Sequence, residues 1–197
     1  PLNGNNDISF DQIEVISRQS KKTFFINRLN KLPKTLKKQI ILDLKKITSK
    51  KKNFANLNFQ KLPNIMGVLN LTPDSFSDGG KFVKNNKGTK HAIEMIRSGA
   101  NIIDVGGEST RPGSKGVNAK VEWNRINFIL KSICKKVPIS LDTRKSEIME
   151  KGIKLGIKIV NDVSGLKFDT KTKNILKKYK IPFVIQHSQG TPEKMQN

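Results

Sequence analysis

From Asn64 onward, short apolar runs alternate with longer stretches that are apolar along one face only. The runs are Ile65–Leu69 (IMGVL), Ile102–Val105 (IIDV), Ile139–Leu141 (ISL), Ile157–Val160 (IKIV) and Phe183–Ile185 (FVI). Short, β-branched and bounded by polar loops, they have the profile of buried strands. Between them, residues 89–98, 119–136, 144–155 and 170–179 show helical spacing, and in the second of these Ile126, Ile129, Leu130 and Ile133 share one face. Strands alternating with helices predict parallel βαβ units. A complete eight-fold barrel takes ~250 residues. The expected fold class is α/β, an incomplete TIM (β/α)8 barrel covering about the first five strands, with an N-terminal extension.

Residues 1–62 follow a different pattern. PLNGNN reads as a loop, and DISFDQIEVIS suits either a short strand or a helix. In LPKTLKKQIILDLKKI, residues Leu36, Ile40, Leu44 and Ile47 fall at near-helical spacing with lysines opposite. SKKKNFANLNFQKLP has no period and reads as a linker. The expected division is an extension, or the tail of an upstream fused domain, over residues 1–62, and a partial catalytic-type domain over 63–197.

Composition narrows the picture. No apolar run approaches the ~18 residues of a membrane span. Nor does the polar start resemble a secretory signal. A single cysteine, Cys134, excludes an internal disulfide and suits a reducing compartment, so the expected location is the cytoplasm. The formal net charge of +22 comes from 38 basic residues, 32 Lys and 6 Arg. The lysines are scattered through an Asn- and Ile-rich background, as codon drift in an AT-rich genome produces. No aromatic-flanked basic motif accompanies them, so nucleic acid is not an expected partner, nor is a membrane. Attraction for anionic, phosphorylated substrates is the reading kept.

The chemistry gathers where barrel enzymes carry it, at the C-terminal ends of strands. NLTPDSFSDGG (70–80) follows the first strand and GGESTRPG (106–113) the second. DTR (142–144), NDVSG (161–165) and QHSQGTP (186–192) follow the third, fourth and fifth. A structural sheet has no need of carboxylates, amides or hydroxyls at every tip. Read alone, Asn70, Asp142 and Asn161 could each be turn-capping residues. His187 lacks a companion His or Cys for zinc, His91 is expected on an exposed helix face, and Cys134 is expected to pack rather than react. Asp162 suits a cap on the turn leading through Gly165.

The runs IMGVLNLTPDSFSDGG, GANIIDVGGESTRPGS, ISLDTRK, IVNDVSGL and IQHSQGTPEKMQ, taken in order, resemble the successive signatures of the dihydropteroate synthase family over about residues 64–197. The resemblance implies a transferase of folate biosynthesis, a sulfonamide target. Such an enzyme joins 6-hydroxymethyl-7,8-dihydropterin diphosphate to 4-aminobenzoate and releases pyrophosphate with the help of Mg²⁺. By this resemblance Asn70 is the metal residue. Asp142 and Asn161 bind the pterin, and Thr110 and Arg111 meet the diphosphate. Phe76 and Asp78 on the first loop, with Pro112 on the second, belong to segments that close over 4-aminobenzoate. Asp78 and Arg111 are the expected catalytic residues.

The family's later contributions, from strands six to eight, have no counterpart here. A fragment of a longer product, inactive on its own, is the expected state, and a homodimer the expected assembly at full length. A fusion to a pterin pyrophosphokinase upstream is open. The alternatives are a pterin-binding methyltransferase, against which the long NLTPDSFSDGG and GESTRPG loops argue, and a degenerate non-catalytic relic.

Overall fold

The computed structural model describes residues 1–50, 52–59, 63–72, 87–109, 114 and 116–186. The chain divides into two compact units, Pro1–Lys52 and Asn53–Asn197. In the first, strands β1 (Gln12–Ile16) and β2 (Lys21–Phe25) pair antiparallel, with Gln12 opposite Phe25. A 3₁₀ turn over Ile26–Lys31 leads to helix α1 (Lys34–Thr48). Leu29 and Ile40 are its buried hydrophobic residues. The predicted helical stripe holds for Ile40, with Leu36 and Leu44 half-buried, but Ile47 is exposed.

In the second unit, strands and helices alternate. The strands are β3 (Met66–Asn70), β4 (Ile102–Gly106), β5 (Ile139–Asp142), β6 (Ile159–Asp162) and β7 (Phe183–Ile185). The helices are α2 (Lys87–Arg97), α3 (Ala119–Ile133), α4 (Ser146–Leu155) and α5 (Thr172–Tyr179). All neighbouring strands pair in parallel, in the order β3-β4-β5-β6-β7. Each new strand is added at the same edge, and the order never reverses. Reversal is the mark of a doubly wound sheet, whereas continuous addition is how a (β/α) barrel grows. The expected partial barrel is what forms.

Two apolar surfaces separate the faces of the sheet. On the helix side, Leu69, Ile103, Val105, Ile139, Leu141 and Val160 pack with Ile126, Ile129, Leu130, Ile133, Ile148 and Met149. The helical stripe read in α3 is buried as its spacing requires. On the other, inner side, Ile102 and Ile159 meet Leu57. Leu57 lies in the stretch read as a linker. Phe54 and Leu57 form an isolated bridge, and Phe54 stacks on Phe59 with ring centroids 4.7 Å apart. So residues 53–59 are packed structure, made by contacts that carry no periodicity.

Local signals place the ends of elements. Asn118 caps α3, its side chain accepting from the Val121 N–H at 2.9 Å. Gly156, at φ 98°, ends α4 in the left-handed conformation that glycine adopts without strain. Several boundaries move by a residue or two, and three of the shifts have a visible cause or consequence. The fourth strand runs Ile159–Asp162 rather than 157–160, because Ile157 serves the α4 terminus and packs in the helix-side core. Helix α4 starts at Ser146, not 144, since Arg144 and Lys145 are drawn into ion pairs. Helix α3 ends at Ile133, not 136. Among the described residues no helix is long and apolar enough to cross a membrane.

Candidate functional site

Strand register gathers the predicted tip residues. Asn70 lies opposite Gly106, Gly106 opposite Asp142, and Asp142 opposite Asn161. Laterally paired residues of a parallel sheet share a face, so Asn70, Asp142 and Asn161 form one polar row on the inner side. Gly106 opens a gap in that row. A Cβ there would stand 3.2 Å from Asp142 Oδ2 and 3.3 Å from Asn70 Oδ1. The row is therefore lined by an amide oxygen and a carboxylate around space that any larger residue would fill.

One step down the strands lies a second row, with Val68 opposite Asp104, Asp104 opposite Ser140, and Ser140 opposite Ile159. The Asn161 Nδ2 donates to Asp104 Oδ2 at 3.2 Å. Burial raises the Asp104 pKa, and the nearby Ser140 hydroxyl and Asn161 amide draw it part of the way back. Ser140 Oγ and Asp104 Oδ1 nonetheless lack a hydrogen bond of good geometry. Asp142 is pushed up to about 7, first by burial and then by the charges of Asp104, Glu122, Glu108 and Asp162. The acidic groups that converge on the row make it a site for donors or cations.

Behind the tips sits a buried ion-pair network. Lys145 Nζ lies 2.6 Å from Glu122 Oε2 and 2.9 Å from Glu108 Oε1. Glu122 also accepts from the Thr143 hydroxyl. Arg144 donates twice to Glu108, at 2.7 and 3.2 Å, and stacks over Phe168 at 3.9 Å. Burial alone would raise the Glu108 carboxyl. Hydrogen bonds from Arg144, Lys145 and the Val117 N–H, with the Lys145 charge, reverse this and hold it below the ordinary glutamate value. Val117 N to Glu108 and Ser114 Oγ to Ser109 O, at 2.9 and 2.8 Å, pinch the base of the loop after β4.

Thr110, Arg111 and Pro112 on that loop, with Phe76 and Asp78 on the loop after β3, lie outside the described residues, as does His187. Of the predicted site residues, Asn70, Asp142 and Asn161 are brought together. Asp162 turns away into local structure: its carboxylate accepts from Ser164 N and Oγ and from Leu166 N, ordering the turn through Gly165. Cys134 is half-buried against the core, and burial lifts its thiol to about 11, which suits packing and not nucleophilic work. His91 is exposed beside Glu94.

Sequence reasoning missed Asp104, Glu108, Glu122 and Lys145. A signal for Glu122 existed, since it stands four residues before Ile126 on the buried stripe of α3. A carboxylate there needs a buried cation.

Mg²⁺ suits the oxygens at the Gly106 gap. A hard cation accepts an amide or carboxylate oxygen, and Mg²⁺ keeps waters and substrate oxygens as its remaining ligands. Among the described residues no cluster of three or more His, Cys, Asp or Glu forms a metal cage. One or two protein oxygens are all that this habit needs.

Comparison with known proteins concerns the same stretch. A family model described as pterin binding enzyme matches residues 66–197. The dihydropteroate synthase of Bacillus subtilis strain 168 is 43% identical over 143 residues, 72% of this chain and 50% of that protein. A solved dihydropteroate synthase from Clostridium difficile, in the presence of pteroic acid, superposes with a TM-score of 0.62 at 40% identity. That match covers 71% of this chain and 52% of the other. A Xanthomonas albilineans dihydropteroate synthase with 4-aminobenzoic acid gives 0.60 at 34%, covering 65% and 47%. The chain spans about half the length of the curated relatives it matches.

Proposed function

The chain belongs to the family of pterin-binding enzymes, and from that premise we propose that it works in a dihydropteroate synthase. The proposed reaction condenses 6-hydroxymethyl-7,8-dihydropterin diphosphate with 4-aminobenzoate. The observation that carries the proposal is the row of Asn70, Asp142 and Asn161 around the Gly106 gap, on the stretch that matches the family. Relatives solved with pteroic acid and with 4-aminobenzoic acid support the choice of substrates.

In this reading Asp142 and Asn161 hold the pterin ring by its edge, where donors meet a carboxylate and an amide oxygen. Thr110 and Arg111 take the diphosphate, a guanidinium being suited to paired phosphate oxygens. Phe76, Asp78 and Pro112 are the residues assigned to 4-aminobenzoate. Asn70 would hold Mg²⁺, which when bound neutralises charge on the departing pyrophosphate. The bond from the pterin methylene carbon to the diphosphate oxygen breaks, and pyrophosphate leaves with the electron pair. The arylamine nitrogen forms the new C–N bond to that carbon and releases a proton.

The 197-residue chain by itself is proposed to have no turnover. Support comes from its span of about half its relatives and from the exposed inner residues Met66, Val68 and Val184.

Pyrophosphate release by the intact protein tests the proposal. Release should require pterin diphosphate, 4-aminobenzoate and Mg²⁺ together, and fall by at least ~100-fold in Asn70→Ala and Asp142→Ala. Methyl transfer from a methylated folate instead would sink it.

A further inference from the structure

Asp104 is a costly residue in its place. It is 7% exposed, on the inner face of β4, one step below the Gly106 gap. Its row neighbours Val68 and Ile159 show that the row accommodates apolar side chains. A carboxylate there loses hydration, and its Oδ1 is buried without a hydrogen bond. Its Oδ2 has one distinctive contact, the Asn161 amide 57 residues away.

That contact constrains chemistry at the site. An ionised carboxylate only accepts hydrogen bonds, so the amide end facing it must be the donor nitrogen. The planar amide then turns its carbonyl oxygen away from Asp104. Freed from Asp104, the Asn161 amide could rotate by half a turn and offer NH₂ in place of that oxygen. Asp142, the lateral neighbour of Asn161, is also an acceptor when ionised.

We propose that Asp104 is a positioning residue: it locks the Asn161 amide with its carbonyl oxygen toward the ring, so the wall demands N–H donors of its ligand. This rests on the pterin reading of the site and specifies how that ring is recognised. A pterin offers such donors at its 2-amino group and neighbouring ring nitrogen. A ring carrying oxygen in place of the 2-amino group loses one donor and sets two acceptors face to face.

The experiment compares equilibrium binding of 6-hydroxymethylpterin and its 2-oxo counterpart, read by ring fluorescence, on the intact protein. Wild type should prefer the amino ring by about tenfold or more, the worth of one well-made hydrogen bond. In Asp104→Leu the preference should fall toward unity, while affinity for 4-aminobenzoate stays within about twofold. Asp104→Asn keeps an acceptor oxygen of the same size and should retain an intermediate preference. In an Asn161→Ala background, Asp104→Leu should change the preference no further, because the two residues act as one unit. If the leucine variant does not fold, Asp104→Ser, too short to reach the amide, replaces it. A preference unchanged in the leucine or serine variant, or lost equally in the Asn161→Ala background, overturns the proposal. Wild type that binds neither ring overturns the pterin reading as well, a result distinct from either of these.

Discussion

Asp142 shows how a single residue can be placed against the interest of the fold. Its carboxyl is pushed up to about 7 by burial and by four neighbouring carboxylates. The group thus favours the folded state fully only when protonated, below the ordinary carboxyl value near 3.8. That contribution is lost as pH rises through about 7. Asp142→Asn should therefore raise the melting temperature at pH 8 and bring it close to wild type at pH 4. Thermal melts across that range check this, and an asparagine variant that is less stable at pH 8 would contradict it. Asn70, Asp142 and Asn161 were legible in the sequence because polar residues directly after apolar runs announce strand tips. Asp104 was not. It lies inside IIDV, where alternation alone cannot say which face a strand buries or which partner 57 residues away a side chain will find.

The β4, β5 and α3 elements are joined by the Glu108, Arg144, Lys145 and Glu122 network as well as by aliphatic packing. Removing one member of a buried charge network strands the others, at a cost of about 3–5 kcal/mol. Lys145→Met should show a loss of that size in urea unfolding, and a loss under 1 kcal/mol would mean the charges are solvated. Glu108 behaves oppositely to Asp142. Its carboxyl is held low, so its contribution is present above the ordinary glutamate value and fades as pH falls through the folded one. The deficit of Glu108→Gln should thus be largest near pH 7 and close in acid, and a deficit constant with pH would rule the ion pairs out as its source. Helix α3 was legible through Ile126, Ile129, Leu130 and Ile133. The position of β6 was less so, because the apolar run IKIV includes Ile157, which belongs to the helix terminus, while the strand continues into polar Asn161 and Asp162. Residues 53–59 were missed for a different reason. Leu57 is buried through contact with Ile102 and Ile159 and belongs to no periodic element.

At the scale of the whole molecule, the alternation of apolar runs was enough to predict parallel βαβ units, the family resemblance supplied the barrel, and the observed order and register then aligned the strand tips. The same architecture leaves Val68 and Val184 about half exposed, at 56% and 45%, on the first and last strands of the inner face. Both edges of the sheet are unpaired among the described residues, and unpaired edges carry a tendency to associate. The 197-residue chain by itself should accordingly bind an apolar dye such as ANS and associate as its concentration rises. A monodisperse sample that binds no dye would contradict that expectation. The central claim is that the Asn70, Asp142 and Asn161 row serves the joining of a pterin to an arylamine. It is tested most directly by identifying, by mass spectrometry, what the intact protein makes from pterin diphosphate and isotopically labelled 4-aminobenzoate. The account predicts labelled dihydropteroate in equal amount to pyrophosphate, with both lost in Asn70→Ala; pyrophosphate without labelled product, or no product at all, would contradict it.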